Sequence, residues 1–493
     1  MIRTSLPIVR QTQVELDAGT HRRLDDLAKR LLADEPTLNR VDMFGERVRA
    51  GLSDAPAVFY EDQSEIPLFR GAVDTALSYR SFLLAGEDDI FLLGGQRVPE
   101  FESYCHDVLG LGAATVLQPE LAPDMRVPLA LRCARDEAVL KRLCEAAALQ
   151  DELNIVPYMG TGNAWRLAAA IAVQSGAEVC VAAPPPRLTR RVNDKLWFFE
   201  RVREALDGKA SPLTYSVFGP AALAARLRAL ALRSPRVTVK IPDSAGSLGN
   251  VMIHSETIAG KPLGLIRENI LDILGERGWQ GTYPLMVGVW DYPVIESPSV
   301  NIWIPEREEG APIIEGLFTQ ALRGAEAAFI GAEPAELPEP LAERILREAV
   351  CLAHYFQNLG YFGQCGLDAI LVGDALESAS IHWIECNGRW GGISIPITLA
   401  NRLVGDWTEK SIIIVQRSNL DLPLRTFGAV LDRLKGHLFG FGGLREGVVL
   451  LAPGRLLHGS GLNLLVIADT KARAWAELQA VTRLLETDGA EPA

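Results

Sequence analysis

The chain has 493 residues, 48% hydrophobic and 23% charged, with 49 basic against 62 acidic side chains and a formal charge of −13. That length exceeds one compact core and implies about three domains, and the apolar patterning excludes a disordered chain. A negative balance without a Lys/Arg cluster excludes a nucleic-acid partner. Seven cysteines (Cys105, Cys133, Cys144, Cys180, Cys351, Cys365, Cys386) lie scattered with no C-x-x-C pair, which fits a reducing compartment. The most apolar long stretch, 167–183, contains Gln174 and Glu178 and falls short of the roughly 20 residues of a membrane span. The first residues lack the apolar core of a signal peptide. A cytoplasmic protein without a membrane partner is expected.

Residues 10–50 read as polar and helix-rich. Four short apolar runs follow, at 89–93, 114–117, 154–158 and 178–182, separated by helical stretches; this alternation predicts a parallel α/β sheet. Between the last two, Gly160-Thr-Gly162 precedes a helix at 164–174, but Trp165 stands where a dinucleotide fingerprint needs its third glycine. A tight strand-to-helix turn is the reading. Three prolines at 184–186 mark a boundary. Beyond them, 237–241 and 251–254 read as strands around a glycine-serine loop, and 284–290 and 299–304 as further strands. The acidic, proline-containing segment 332–340 reads as a surface connection before a helix at 341–359. Strands at 366–372 and 381–387 follow. From 405 onward, strands at 447–451 and 463–467 and a helix at 472–485 predict a small closing lobe. The expected fold is an N-terminal α/β, Rossmann-like domain (1–188), then an α+β fold with two lobes (189–280 and 281–404) and a small C-terminal α+β lobe (405–493).

The pair 366–372 and 381–387 carries the chemistry. Folded as an antiparallel hairpin about the polar loop 373–380, it sets Asp368 opposite Glu385. Glu385 and Asn387 share a face because strand side chains alternate. Opposed carboxylates held about 5 Å apart repel unless a cation lies between them, and hard oxygen ligands suit Mg²⁺. A solvated edge hairpin is the plain alternative, although both carboxylates sit among Leu, Ile, Trp and Cys and buried carboxylates need partners. Arg389, two residues past Asn387, can emerge on the same side and hold phosphate or carboxylate oxygens, or simply occupy a surface turn.

A second motif is the strand V-T-V-Lys240-I with the loop that follows it. The loop offers serines, glycines and free backbone N–H groups that can fold over anionic oxygens. It is not a Walker A loop, since the G-x-x-x-x-G-K-[ST] order is absent. A flexible hairpin tip with a snorkelling lysine is the alternative.

Together, a strand lysine with a Gly/Ser loop and, over 100 residues later, D…E-x-N-x-R resemble the ATP-grasp superfamily. The tract Tyr361-Phe-Gly-Gln-Cys-Gly-Leu-Asp368, with Ile384-Glu385-Cys-Asn387-Gly-Arg389-Trp-Gly-Gly-Ile-Ser394, is similar to members with a pre-ATP-grasp domain, of the pheganomycin-type peptide ligase kind. The resemblance spans roughly 190–405. It implies that Lys195 and Lys240 bind ATP phosphates or adenine, and that the loop with Ser244, Gly246, Ser247 and Gly249 closes over the triphosphate. It further implies that Asp368, Glu385 and Asn387 hold two Mg²⁺ ions and that Arg389 stabilises the transferring phosphoryl group. Adenine would sit near Val289 and Trp290, with Glu296 on the ribose; the sequence departs from the family there, because Val287–Trp290 lacks the acidic residue of many relatives. The implied activity is ATP-dependent ligation of a carboxylate to an amine, on amino acids or a peptide, through an acyl-phosphate. Carboxylation, phosphoryl transfer without ligation, and ATP binding without turnover stay open, as does the homodimer common among relatives. No side chain stands out as the base: His354 and His382 read as structural, with His382 expected to point away from Glu385.

Overall fold

The computed structural model of the protein describes residues 6–66, 77–120, 127–206, 208, 210–242, 249–324, 327–418, 424, 426–457 and 461–486. The first of its three sheets is parallel: β1 (Val48–Ala50), β2 (Ala57–Tyr60), β3 (Ile90–Leu92), β4 (Thr115–Leu117), β5 (Glu152–Pro157) and β6 (Glu178–Val181), in the order β1-β6-β5-β2-β3-β4. β2 and β5 are buried almost throughout because both sheet faces are covered, so they read as unbroken apolar runs. The four expected strands appear as β3 to β6. The glycines after β5 form the tight turn: Thr161 caps the helix Gly162–Ser175, and a Cβ on Gly160 would meet the Pro184 carbonyl at 2.7 Å.

The second sheet is antiparallel, with β7 (Thr214–Val217), β8 (Arg236–Lys240), β9 (Asn250–His254) and β10 (Leu285–Val289) in the order β7-β10-β8-β9. Leu223, Leu227, Ile266 and Ile270 from two helices fill its core. Since Met286 of β10 pairs with Lys240 of β8, this lobe runs to Val289, past the expected limit at 280.

The third sheet has nine strands: β11 (Val294–Glu296), β12 (Pro298–Ile304), β13 (Ile313–Arg323), β14 (Ala328–Pro334), β15 (Gly363–Val372), β16 (Ser380–Asn387), β17 (Ser411–Ser418), β18 (Gly447–Leu450) and β19 (Gly461–Ala468). Three expectations change here. The closing lobe has no sheet of its own, because β17 pairs with β14 and carries β19 and β18 with it. Residues 332–334, expected in a surface connection, end β14, with Ala332 buried against β17. The N-terminal helix Ala18–Asp34 does not belong to the parallel domain; its Leu24 and Ala28 pack with the helix Glu339–Asn358 behind the third sheet.

That helix layer fixes the sheet from below. Along β12 and β15, Val300, Ile302, Leu367 and Ala369 enter the core, while the alternate residues Ser299, Asn301, Gly366 and Asp368 line a cavity on the other face, the period-two pattern of a strand. No described helix is long and apolar enough to cross a membrane. Phe356 is fully buried, with ring neighbours Trp197, Phe198 and Tyr361 at 6.0, 6.4 and 6.3 Å. Phe356→Ala is expected to cost about 3–5 kcal/mol, read from the shift in guanidinium midpoint; a loss below about 1 kcal/mol would show that this cluster does not hold the layer.

Candidate functional site

β15 and β16 pair with Asp368 opposite Glu385 and Gly366 opposite Asn387, the register that folding the hairpin at its loop predicts. On the other side of β15, β12 sets Ser299 opposite Asp368 and Asn301 opposite Gly366. Two rows therefore cross the cavity floor: Glu385, Asp368, Ser299, and then Asn387, Gly366, Asn301.

Asp368 accepts hydrogen bonds from Ser299 Oγ at 2.7 Å and Asn387 Nδ2 at 2.8 Å. Burial first, and then the facing Glu385, push its carboxyl up to about 7. A group so close to neutrality at physiological pH lacks a positive neighbour strong enough to hold its charge. Glu385 does have one, since Lys195 Nζ lies 3.1 Å from its Oε1. Asn387 is turned differently from the sequence expectation: its Oδ1 accepts from Arg389 Nη2 at 2.6 Å and its nitrogen faces Asp368. The amide oxygen thus points to Arg389, which competes for it, and not to the carboxylates. Arg389 is steadied further by Asn193 Oδ1, which also accepts from the Gly388 N–H at 3.2 Å. Among the described residues no three His, Cys, Asp or Glu side chains converge as a metal cluster. A cation here would have two carboxylates and an amide, with water or phosphate oxygens completing its shell.

The other expected residues divide. Lys195 is 4% exposed, opens the helix Lys195–Ala205 and points at Glu385; it is not part of the cavity lining, so its place is beside a carboxylate and not on a free anion. Lys240 does line the cavity, with Nζ 5.7 Å from the centre of the Trp290 ring. Burial, then Lys195, lower its ammonium to about 8, against the pull of Glu385 and Asp291. Ser244, Gly246 and Ser247 lie outside the described residues. Gly249 is paired through its carbonyl with the Ile241 N–H at 2.9 Å and is not in the lining, whereas Asn250 is.

At the hinge, Val289 and Trp290 line the cavity, but their N–H groups are taken by the Leu213 and Arg236 carbonyls at 3.0 and 3.1 Å, so neither N–H is open to a ligand. Glu296 does not reach the cavity: it pairs with Leu371 across an irregular register, and the lining is taken up by Val294 and Ser297 on either side. The acidic residue that 287–290 lacks stands one position later, as Asp291, which lines the cavity and bonds His382 Nδ1 at 2.9 Å. His382 also departs from expectation. An extra residue, Ile384, sits between the pairs Asp368–Glu385 and Ala369–Trp383. This bulge shifts the alternation by one, placing His382 opposite Ile370 and on the face of Asp368. His354 packs edge-on to His21 with centroids 4.8 Å apart, in the layer behind the sheet.

The cavity measures about 710 Å³ and is lined by strands of the second and third sheets and by Gln63, Ile66, Leu77, Arg80 and Tyr158 from the connections of the parallel domain. Its described lining carries five basic side chains (Arg80, Arg236, Lys240, Arg389, Arg455), of which Arg80 is paired with the buried Glu61, against the carboxylates of Asp291, Asp368 and Glu385. In a chain of charge −13 this positive excess marks a place for an anion. Ser299 and Asn301 went unnoticed in the sequence because each sits on a strand of ordinary composition and acquires its role only from the register; Asn193, read only as part of the entry Asn193-Asp194-Lys195, gains its role from the turn it holds through Gly388 and Arg389.

Residues 78–173 match the family described as Pre ATP-grasp domain. No curated protein matches the chain. Among solved structures it is similar to an N5-carboxyaminoimidazole ribonucleotide synthetase in complex with ADP, at 13% identity over 90% of this chain and 100% of that one, with a TM-score of 0.50. It is similar also to a biotin carboxylase–β,γ-ATP complex from Campylobacter jejuni, at 12% identity over 87% and 91% with a TM-score of 0.50. A third is the biotin carboxylase domain dimer of Hydrogenobacter thermophilus 2-oxoglutarate carboxylase with MgADP, ADP and bicarbonate, at 12% identity over 87% and 89% and the same score of 0.50. At such identities the likeness is one of fold. The chain carries a pre-ATP-grasp domain over residues 78–173 and has the ATP-grasp fold.

Proposed function

We propose that the protein is an ATP-dependent ligase that joins a carboxylate to an amine through an acyl-phosphate, with Mg²⁺ as cofactor and with amino acids or a peptide as the substrate class. The observation that carries this reading is the pair Asp368 and Glu385, opposed in register on the floor of a net-positive cavity. The nucleotide-bound state of the fold neighbours supports it.

Asp368 and Glu385, with Asn387 once Arg389 releases its oxygen, would hold the metal, which when bound neutralises phosphate charge. Lys240 lies on the wall where a polyphosphate would cross from the hinge. Arg389 reaches the boundary between the two rows of the floor, where phosphoryl oxygens and a carboxylate would meet; its planar fork matches both. The carboxylate oxygen attacks the γ-phosphorus, the bond to the bridging oxygen breaks, and ADP leaves. A neutral amine then adds to the acyl carbon, the bond from that carbon to the phosphate oxygen breaks, and the nitrogen's surplus proton leaves with the departing phosphate. Positioning and charge neutralisation carry such transfers, and closure of the lobes over the site would keep water from the intermediate.

ADP release should be followed with Mg-ATP over a matrix of carboxylates and amines, bicarbonate included. Release that requires both partners and falls about 100-fold or more in Glu385→Gln is the expected result. Release with bicarbonate alone as the acid would move the assignment to a carboxylase; tight Mg-ATP binding with no release throughout would favour ATP binding without turnover.

Lys240 gives a second test. With its ammonium lowered to about 8, it is charged below that pH and neutral above it. Polyphosphate affinity is therefore expected to hold from pH 6 to 7.5 and then fall, by up to about tenfold per pH unit. The unfolded lysine keeps its proton up to its ordinary value of 10.5, so the stability contribution of this residue moves oppositely and rises with pH through the same window. Lys240→Met should bind metal-free polyphosphate, a probe that does not require the Asp368 carboxylate, more weakly, with the pH step gone; an unchanged step would assign it to another group.

A further inference from the structure

The second row of the cavity floor has a composition that nucleotide binding does not explain. Asn301 is 4% exposed and lines the cavity, yet its Nδ2 finds no hydrogen-bond partner among the described residues. Unmade buried donors are rare in folded proteins. Its neighbours across the sheet are Gly366 on one side and Gly316 on the other, and neither has a side chain to complete it. Beyond Gly366 stand Asn387 and, bonded to it, Arg389. The row is thus bare only at Gly366, with the Asn301 amide on one side and Asn387, bonded to Arg389, on the other, one strand repeat from the carboxylate row, about 6–7 Å along the chain.

The space past this strip changes character. Trp390 lines it, with its ring 6.4 Å from that of Trp303 and its backbone N–H bonded to the Tyr158 carbonyl at 3.0 Å. Phe329 closes against Gly392, near enough that a Cβ there would meet its ring at 3.0 Å. Ile66 and Leu77 of the parallel domain also line the cavity, and Arg80, with its guanidinium 5.9 Å from the centre of the Tyr158 ring and bonded to Gln416 Oε1 at 3.4 Å, gives this apolar region a polar edge.

We propose, on the basis of the ligase reading above, that the acid substrate is a carboxylic acid with an apolar or aromatic substituent. Its carboxylate lies over Gly366 between Asn301 and Arg389, with the Asn301 amide turned about its last torsion to offer Nδ2 to an oxygen. Its substituent packs against Tyr158, Phe329 and Trp390. Asn301 is then a substrate-contacting residue, and Gly366 is bare because a side chain would fill the carboxylate's place.

The test is calorimetric titration of the full chain, saturated with MgADP, with acetate, benzoate and N-acetylphenylalanine as probes. Benzoate and N-acetylphenylalanine are expected to bind at least about tenfold more tightly than acetate, from burial of the ring. Asn301→Asp is isosteric and puts a charge against the carboxylate; it should weaken both by at least about tenfold while leaving MgADP affinity within about twofold. If that variant does not fold, Gly366→Ala serves, because its Cβ meets only ordinary contact, 3.5 Å from Asn387 Cβ; it should exclude the acids and keep MgADP. Acetate binding as tightly as benzoate, no acid binding to the MgADP-loaded parent, or parent-like acid binding in the folded variants would each overturn the inference. Failure of the parent chain to bind MgADP would sink the ligase reading itself, and this inference with it.

Discussion

Two carboxylates facing each other across one strand pair are the constraint around which the rest is arranged. Asp368 and Glu385 would repel in any sheet, and here they sit on a floor whose reverse side is a packed core of Val300, Leu367, Ala369 and Trp383. The repulsion is answered from outside the hairpin. Lys195 reaches Glu385 from the start of a helix that belongs by packing to the layer beneath the sheet, and Arg389 reaches Asn387 from the turn after β16. Asn193, two residues before Lys195, ties that turn to the same helix entry through Gly388 and Arg389. A short segment, 193–195, thus holds both the cation on Glu385 and the guanidinium beside Asp368's partner. Removing it would free two charges at once.

The bulge at Ile384 is the second device. Without it, strict alternation would turn His382 into the core, where Trp383 now lies. With it, His382 faces Asp291 and draws the hinge onto the hairpin. Bulges next to functional sites commonly re-aim a side chain in this way. Here the effect is to connect the second sheet, which ends at Val289, to the third, which begins at Val294, through a side-chain bond that lies outside both ladders. Lobe movement about the hinge would have to carry or break that bond.

The sequence showed the hairpin most clearly because its two strands are adjacent in the chain and their register follows from the loop between them. The opposition of Asp368 and Glu385 needed no long-range information. What it could not show was set by partners far away. Ser299 and Asn301 are 60 to 70 residues from β15 in the chain and gain meaning only from pairing. The phase of His382 depends on one unpaired residue, which alternation alone does not detect. Glu296 was one position off the cavity face, and Asp291 one position past the segment where an acid was sought. The closing lobe looked separate because β17 to β19 are contiguous in sequence, although β14, the strand they join, lies nearly 80 residues upstream of β17.

The charges at the two ends of the floor are prepared for opposite arrivals. Burial drives Asp368 up to about 7 and Lys240 down to about 8, so each sits near the point where it loses its charge. A cation at Asp368 would expel a proton, and an anion at Lys240 would capture one. If both come together, as they would in the proposed metal–nucleotide complex, the two transfers nearly cancel, and the complex gains a buried carboxylate and a buried ammonium that neither ligand alone could sustain. The same balance accounts for a cavity that is positive in a negative chain yet keeps two acids on its floor. In that proposed complex the acids would select the cation, the excess of bases would select the anion that carries it, and the position over Gly366, between Asn301 and Asn387, would be left for a ligand that brings its own charge.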